Sequence, residues 1–216
     1  ETMGSRRTSV VVGALLILSA REAVAGSGAL RVNSTVPTRI TLVGSRAETP
    51  DGAGAFTVVV RDLANNPLNG ASVVVDLTFC TDLSLCANQL DAAAFVNCAA
   101  KTTRKFTNIA GSVTFIVLGG SNGSGNATTL DHGVRIYANG MWLGSPTASA
   151  LNLDGSEGVG INDLSVWLSD YGTLGNPPFG RSDFDGDGAL GINDLSVWMT
   201  GFGAGGSATA CAASCP

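Results

Sequence analysis

Asp183-Phe184-Asp185-Gly186-Asp187-Gly188-Ala189-Leu190-Gly191-Ile192-Asn193-Asp194-Leu195-Ser196-Val197-Trp198 is the stretch from which the organisation of this chain can be read. Its second half, Gly191 to Trp198, repeats Gly160 to Trp167 residue for residue at an offset of 31. The likeness runs outward through Val159/Leu190, Leu168/Met199, Tyr171/Phe202 and Gly172/Gly203. A repeat this tight is one supersecondary unit used twice. In each copy an oxygen-rich loop feeds apolar residues at helical spacing: Ile161, Leu164, Leu168 and Tyr171, then Ile192, Leu195, Met199 and Phe202. The spacing predicts two helices of about ten residues, packed on each other through these stripes and stopped at Gly172 and Gly203.

The loops carry the chemistry. Asp183, Asp185 and Asp187 alternate, Gly188 stands at the sixth place, and Asp194 at the twelfth. That is the spacing of an EF-hand-type calcium loop. A hard divalent cation takes six to eight oxygens, so a short loop must fold several carboxylates around one point. The backbone carbonyl of Ala189 is the seventh-place ligand, and Asp194 closes the site from the first helical turn. Without a cation, carboxylates this close repel one another. The first copy offers Asn152, Asp154, Ser156, the carbonyl of Gly158, and Asp163. Two formal charges replace four, and Glu157 stands where glycine is wanted. Loop 152–163 is therefore expected to hold calcium more weakly than loop 183–194.

Two loop–helix units of this length, with the closing Asp in the first turn, resemble a dockerin over about residues 150–204. The resemblance implies calcium-dependent folding and docking to a cohesin-type partner. It also implies that loop places ten and eleven face that partner: Ile161 and Asn162, Ile192 and Asn193. This apolar–polar pairing departs from the Ser-Thr pair of well-known members. Trp167 and Trp198 sit beside the apolar stripes and read either as core or as partner-facing anchors.

Upstream, composition changes. Residues 26–151 carry net charge +1 and residues 152–216 carry −7, which marks a boundary near residue 151. The upstream part reads as short strands. Phe56 to Arg61 and Ser72 to Thr78 are Val-rich and flank the turn formers Asn65 to Gly70. Ser112 to Leu118 is another, and Asn139-Gly140 joins two more as a two-residue hairpin. About seven strands at regular spacing predict a β-sandwich. Val60-Arg61-Asp62, Asn66-Pro67-Leu68-Asn69-Gly70 and Gly111-Ser112-Val113-Thr114-Phe115 resemble the invasin/intimin-type (Big-1) immunoglobulin-like domain. That resemblance implies a spacer, adhesion or assembly role. The basic cluster Lys101 to Lys105 reads as a solvated strand edge.

Residues 3–25 read as a secretory leader: Arg6-Arg7, an apolar run from Val10 to Ala20, and Ala23-Val24-Ala25 before a cleavage at Gly26. Export permits disulfides among Cys80, Cys86, Cys98, Cys211 and Cys215. Cys80–Cys98, Cys86–Cys98 and Cys211–Cys215 all remain open, and five is an odd number. The net charge of −5, with 13% of residues charged and 44% apolar, speaks against disorder and against a phosphate-backbone binder. His132 is the single histidine, and no nucleophile elbow flanks a serine.

The reading is a mainly β protein. A signal peptide (1–25) precedes an immunoglobulin-like β-sandwich (26–150), an α-helical dockerin-like module (151–204) and a Cys-containing tail (205–216). It is a secreted, non-catalytic, calcium-dependent binding protein. Its partner is a cohesin-like protein or neighbouring copies of itself in a fibre or surface layer. Carbohydrate binding or hydrolysis by the sandwich is the remaining alternative. Neither a nucleic-acid partner nor a membrane span in the mature chain is expected.

Overall fold

The computed structural model describes residues 28–122, 133–156, 158–172, 180–203 and 215. The leader, Glu157, Asp131, His132, Cys211 and all of the tail except Cys215 lie outside the described residues. The elements are β1 (Arg39–Leu42), β2 (Ser45–Arg46), β3 (Thr49–Pro50), β4 (Ala55–Val59), β5 (Ser72–Asp76), β6 (Leu83–Leu85) and β7 (Phe95–Asn97). They continue as β8 (Thr102–Phe106), β9 (Ser112–Ile116), β10 (Gly119–Ser121), β11 (Arg135–Ala138), β12 (Met141–Gly144) and β13 (Thr147–Ala150). Two helices follow, α1 (Ile161–Tyr171) and α2 (Ile192–Gly203). The fold is mainly β.

The largest sheet runs β12-β11-β5-β8-β7, antiparallel throughout. Its inner face presents Val73, Val75, Thr103, Ile136 and Ala138, all buried. Phe56, Val58, Val113 and Phe115 from the antiparallel pair β4–β9 join the same cluster. Phe56 and Phe115 are cross-strand partners and stack at 5.6 Å. The alternation of apolar and polar residues thus buries one face of each strand. The Asn139-Gly140 turn forms as expected: Ala138 pairs with Met141, and φ is 50° at Asn139 and 80° at Gly140. Gly111 is obligatory. Its φ is +69°, and a Cβ there would lie 2.5 Å from the Val60 carbonyl oxygen.

Three expectations are corrected. Lys101 to Lys105 is not an edge, because β8 lies between β5 and β7. There Arg104 lies over Phe95, and Lys105 Nζ sits 2.6 Å from Asp91. None of the considered pairings of Cys98 or Cys215 is formed. Cys98 joins Cys215 across 117 residues, and the Cys215 N–H donates to the Leu85 carbonyl. Cys86 is also disulfide-bonded, and Cys80 is buried in the β core.

The third correction concerns the helices. Only part of each apolar stripe is covered: Leu164, Leu195 and Phe202 are partly buried against a core that the helices share with the β half. Ile161, Leu168, Tyr171, Ile192 and Met199 are all more than half exposed. The buried positions are Asp163, Trp167 and Asp170 in α1, and Asp194, Trp198 and Gly201 in α2. Trp167 and Trp198 enter a second core with Val43, Leu118, Leu151, Leu153, Val159 and Phe184. Val43 and Leu118 belong to the β half, so the helices lie down on it and share its apolar surface. β13 pairs parallel with β1, the Leu151 N–H extends the ladder to the Leu42 carbonyl, and the chain passes straight into the first loop.

Candidate metal centre and docking face

The two loops share one set of side-chain-to-backbone bonds around the closing Asp and at the first and third places. Asp163 Oδ1 accepts from the N–H groups of Leu153 (2.5 Å) and Asp154 (2.9 Å), and Oδ2 from that of Gly160 (2.6 Å). Asp194 Oδ1 likewise accepts from Phe184 (2.6 Å) and Asp185 (3.2 Å), and Oδ2 from Gly191 (2.8 Å). At the first place, Asn152 Oδ1 accepts from Gly155 and Asp183 Oδ1 from Gly186. At the third, Asp154 Oδ1 accepts from Ser156 and Asp185 Oδ1 from Asp187. The closing Asp thus ties the loop to its helix: from the third helical position it reaches back to the N–H of the glycine that precedes the helix, Gly160 or Gly191, and it also takes two N–H groups from the start of the loop.

Gly188 takes φ +85°, as a sixth-place glycine should. The sequence reading missed the fourth place. Gly155 and Gly186 stand there in both copies with φ 72° and 76°. Their identity in the repeat was the available signal. Gly158 is at φ 121°, and Ala189 is exposed with its N–H on Asp187 Oδ1.

Loop 183–194 gathers Asp183, Asp185 and Asp187, with one ligand oxygen from each inside a 4.8 Å span. Carboxylate oxygens are the hard donors that divalent cations take. Asp194 is outside this trio, both of its oxygens being engaged by backbone N–H groups. Loop 152–163 is poorer. Asn152 Nδ2 donates to the Ser156 carbonyl (2.6 Å), and only Asp154 and Asp163 carry charge among the predicted ligands. Burial pushes the Asp163 carboxyl up to about 6, with the Asp154 charge adding and the N–H bonds opposing. Burial raises Asp194 in the same way, with Asp185 adding. At Asp154, hydrogen bonds led by Ser156 outweigh burial and hold the carboxyl below its ordinary range.

Of the predicted partner residues, Ile161, Asn162, Ile192 and Asn193 are exposed at equivalent places of the two helices. Trp167 and Trp198 are not surface anchors: they are 3% and 1% exposed. The Trp167 indole N–H donates to the Ser182 carbonyl, and each indole stacks on its own helix's next aromatic, Tyr171 or Phe202. The pseudo-repeat is broken one turn later. Asp170 is buried and takes a two-pronged bond from Arg181 at 2.8 Å, with the Ser182 hydroxyl at 2.6 Å. Its counterpart Gly201 packs directly on the β half, and a Cβ there would lie 2.5 Å from Leu151 Cδ1.

A second surface went unnoticed in the sequence because its residues are scattered. Across the outer face of the large sheet, register places Trp142, Tyr137, Val74, Arg104 and Phe95 in one row. Guanidinium groups cap the rings: Arg31 lies 4.0 Å over Trp142, Arg104 5.0 Å over Phe95, and Arg135 3.9 Å over Phe79.

The chain matches no protein-family model and no curated protein. Among solved structures it is similar to the adhesin InvE of Yersinia pseudotuberculosis. The TM-score is 0.25, at 21% identity over 56% of this chain and 26% of that one. The chain thus spans about a quarter of that adhesin's length. Among the described residues, no helix is long and apolar enough to cross a membrane.

Proposed function

We infer that this chain is an exported, non-catalytic binding and assembly protein. Its helical third is a calcium-stabilised, dockerin-like module that attaches it to a cohesin-type partner, and its β half is an immunoglobulin-like spacer or adhesion module. One observation carries this reading: the two loop–helix units are bonded alike and leave the same residues in the open. Ile161, Asn162 and Leu168 on one helix match Ile192, Asn193 and Met199 on the other, all exposed. Large apolar side chains kept in solvent at equivalent places of a repeat support a binding face that either helix can present. Calcium's part is to supply the counter-charge that Asp183, Asp185 and Asp187 require. The loops then hold both helices at fixed angles to the β half.

Capture of the source's own surface proteins on the immobilised chain tests this. A partner should be retained in calcium, released by chelator, and lost with Ile161→Asp plus Ile192→Asp. Capture indifferent to both calcium and that substitution would refute the reading.

The capped aromatic row favours a second reading, a subunit of an extracellular fibre. Its arginines complement the −7 charge of residues 152–216 on a neighbouring copy. Calcium-dependent growth of particle size with concentration would select that reading over a separate partner.

A further inference from the structure

We propose that Arg39, a residue of the β half, is the resident cation of loop 183–194, neutralising Asp183 in the absence of a divalent ion and setting how tightly the loop takes one. This rests on the reading of that loop as a calcium site. Arg39 is the first residue of β1, and its side chain is only 6% exposed. Nη1 lies 3.6 Å from Asp183 Oδ2, and Nη2 donates to the Gly180 carbonyl. Among the described residues, Nε is buried without a hydrogen-bond partner. The aliphatic stem lies flat on Gly186, where a Cβ would come within 3.0 Å of Arg39 Cδ and 3.1 Å of Cβ. Head and stem border a cavity of about 370 Å³, together with Thr38, Thr147, Asp183 and Gly188.

Two residues along the same strand, the Thr41 hydroxyl donates to the Phe184 carbonyl. One face of β1 thus clasps the second loop. The first loop meets the β half differently: Asn152 rests against Gly120, which has no side chain.

A guanidinium is charged at every accessible pH, and one this deeply buried needs a fixed anion. Asp183, with Asp185 and Asp194 behind it, supplies that anion, and these charges oppose the lowering that burial imposes on Arg39. An ion seated among Asp183, Asp185 and Asp187 would carry the same sign as Arg39 a few ångströms away. Arg39 therefore weakens ion binding while it holds the ion-free loop on the β half. By reciprocity, anything that loosens this clasp tightens the loop's hold on the ion.

The test compares calcium titration calorimetry and thermal melts of the full chain with those of Arg39→Met and Arg39→Lys. Methionine keeps a stem over Gly186 and removes the charge, whereas lysine keeps the charge. Arg39→Met should bind calcium about tenfold more tightly at the stronger site, on the scale of one partly screened like-charge repulsion. Its melting temperature should fall more in chelator than in calcium. Arg39→Lys should stay within about threefold of the wild-type affinity, a rescue that packing alone would not produce. If the methionine variant fails to fold, Arg39→Gln, whose amide can still reach the Gly180 carbonyl, should show the same tightening. Neutral variants that bind no more tightly than wild type overturn the role of Arg39 alone. A wild-type chain that takes up no calcium overturns the metal reading beneath it.

Discussion

Replacing two loop carboxylates, Asp185→Asn with Asp187→Asn, should stabilise the chain in chelator and abolish its response to calcium. The ligand oxygens of Asp183, Asp185 and Asp187 lie within 4.8 Å of one another. Asp185 and Asp187 are exposed and Asp183 is buried at their edge; at that spacing, with water-like screening as a lower bound, each like-charged pair costs about 1 kcal/mol, so the trio costs about 3 kcal/mol. The contact between Arg39 and Asp183 offsets part of this. Calcium at a hundredfold excess over its Kd contributes about 2.7 kcal/mol. In a chain of this size that corresponds to a melting temperature about 5–10 °C higher in calcium than in chelator. The double variant removes all three pairs and keeps the Arg39–Asp183 contact, so on the same scale it should melt about 6–12 °C above wild type in chelator and show no calcium increment. Asparagine preserves the turns, because the oxygens that accept the Asp187 and Ala189 N–H groups remain as amide carbonyls. Differential scanning fluorimetry at matched ionic strength reads all four conditions. Coincident wild-type melts would refute the metal site. A double variant less stable than wild type in chelator would refute the repulsion on which the estimate rests.

Three further outcomes are expected. Ile161→Asp with Ile192→Asp should leave urea stability within about 0.5 kcal/mol, because both side chains are in solvent, and should still abolish partner capture; a large stability loss would show that they pack in the native chain. Cys98→Ser opens a link spanning 117 residues and should cost about 2–5 kcal/mol, read from urea melts under oxidising conditions; unchanged melts would contradict the pairing. The Asp163 carboxyl sits at about 6, above its ordinary value of 3.8, so its contribution in chelator is full below about pH 4 and is lost as pH rises through about 6. The stability difference between wild type and Asp163→Asn should therefore move against wild type across that window in chelator. A difference that moves towards wild type would show that the carboxylate is stabilised rather than penalised there.

Much of this architecture was legible in local sequence. Alternating Val-rich runs bury one face of β4, β5 and β9, and Asn139-Gly140 supplies the left-handed pair that its hairpin turn requires. Identical oxygen positions in the two copies produce loops with matching bonds, because those bonds run between residues at most ten apart. The periodic stripes located both helices and found only one edge of the buried side, Leu164, Leu195 and Phe202. Ile161 and Ile192 face solvent while Trp167 and Trp198 fill the core, because the β half offers Val43 and Leu118 as a better apolar surface than either helix. Periodicity reports that a helix has an apolar face and says nothing of a second surface outside it. Only the tertiary structure joined Cys98 to Cys215, placed Arg39 on Asp183, and aligned Phe95, Arg104, Tyr137 and Trp142 in one row. Each depends on residues distant in sequence meeting through strand register and layer packing, which no local pattern encodes.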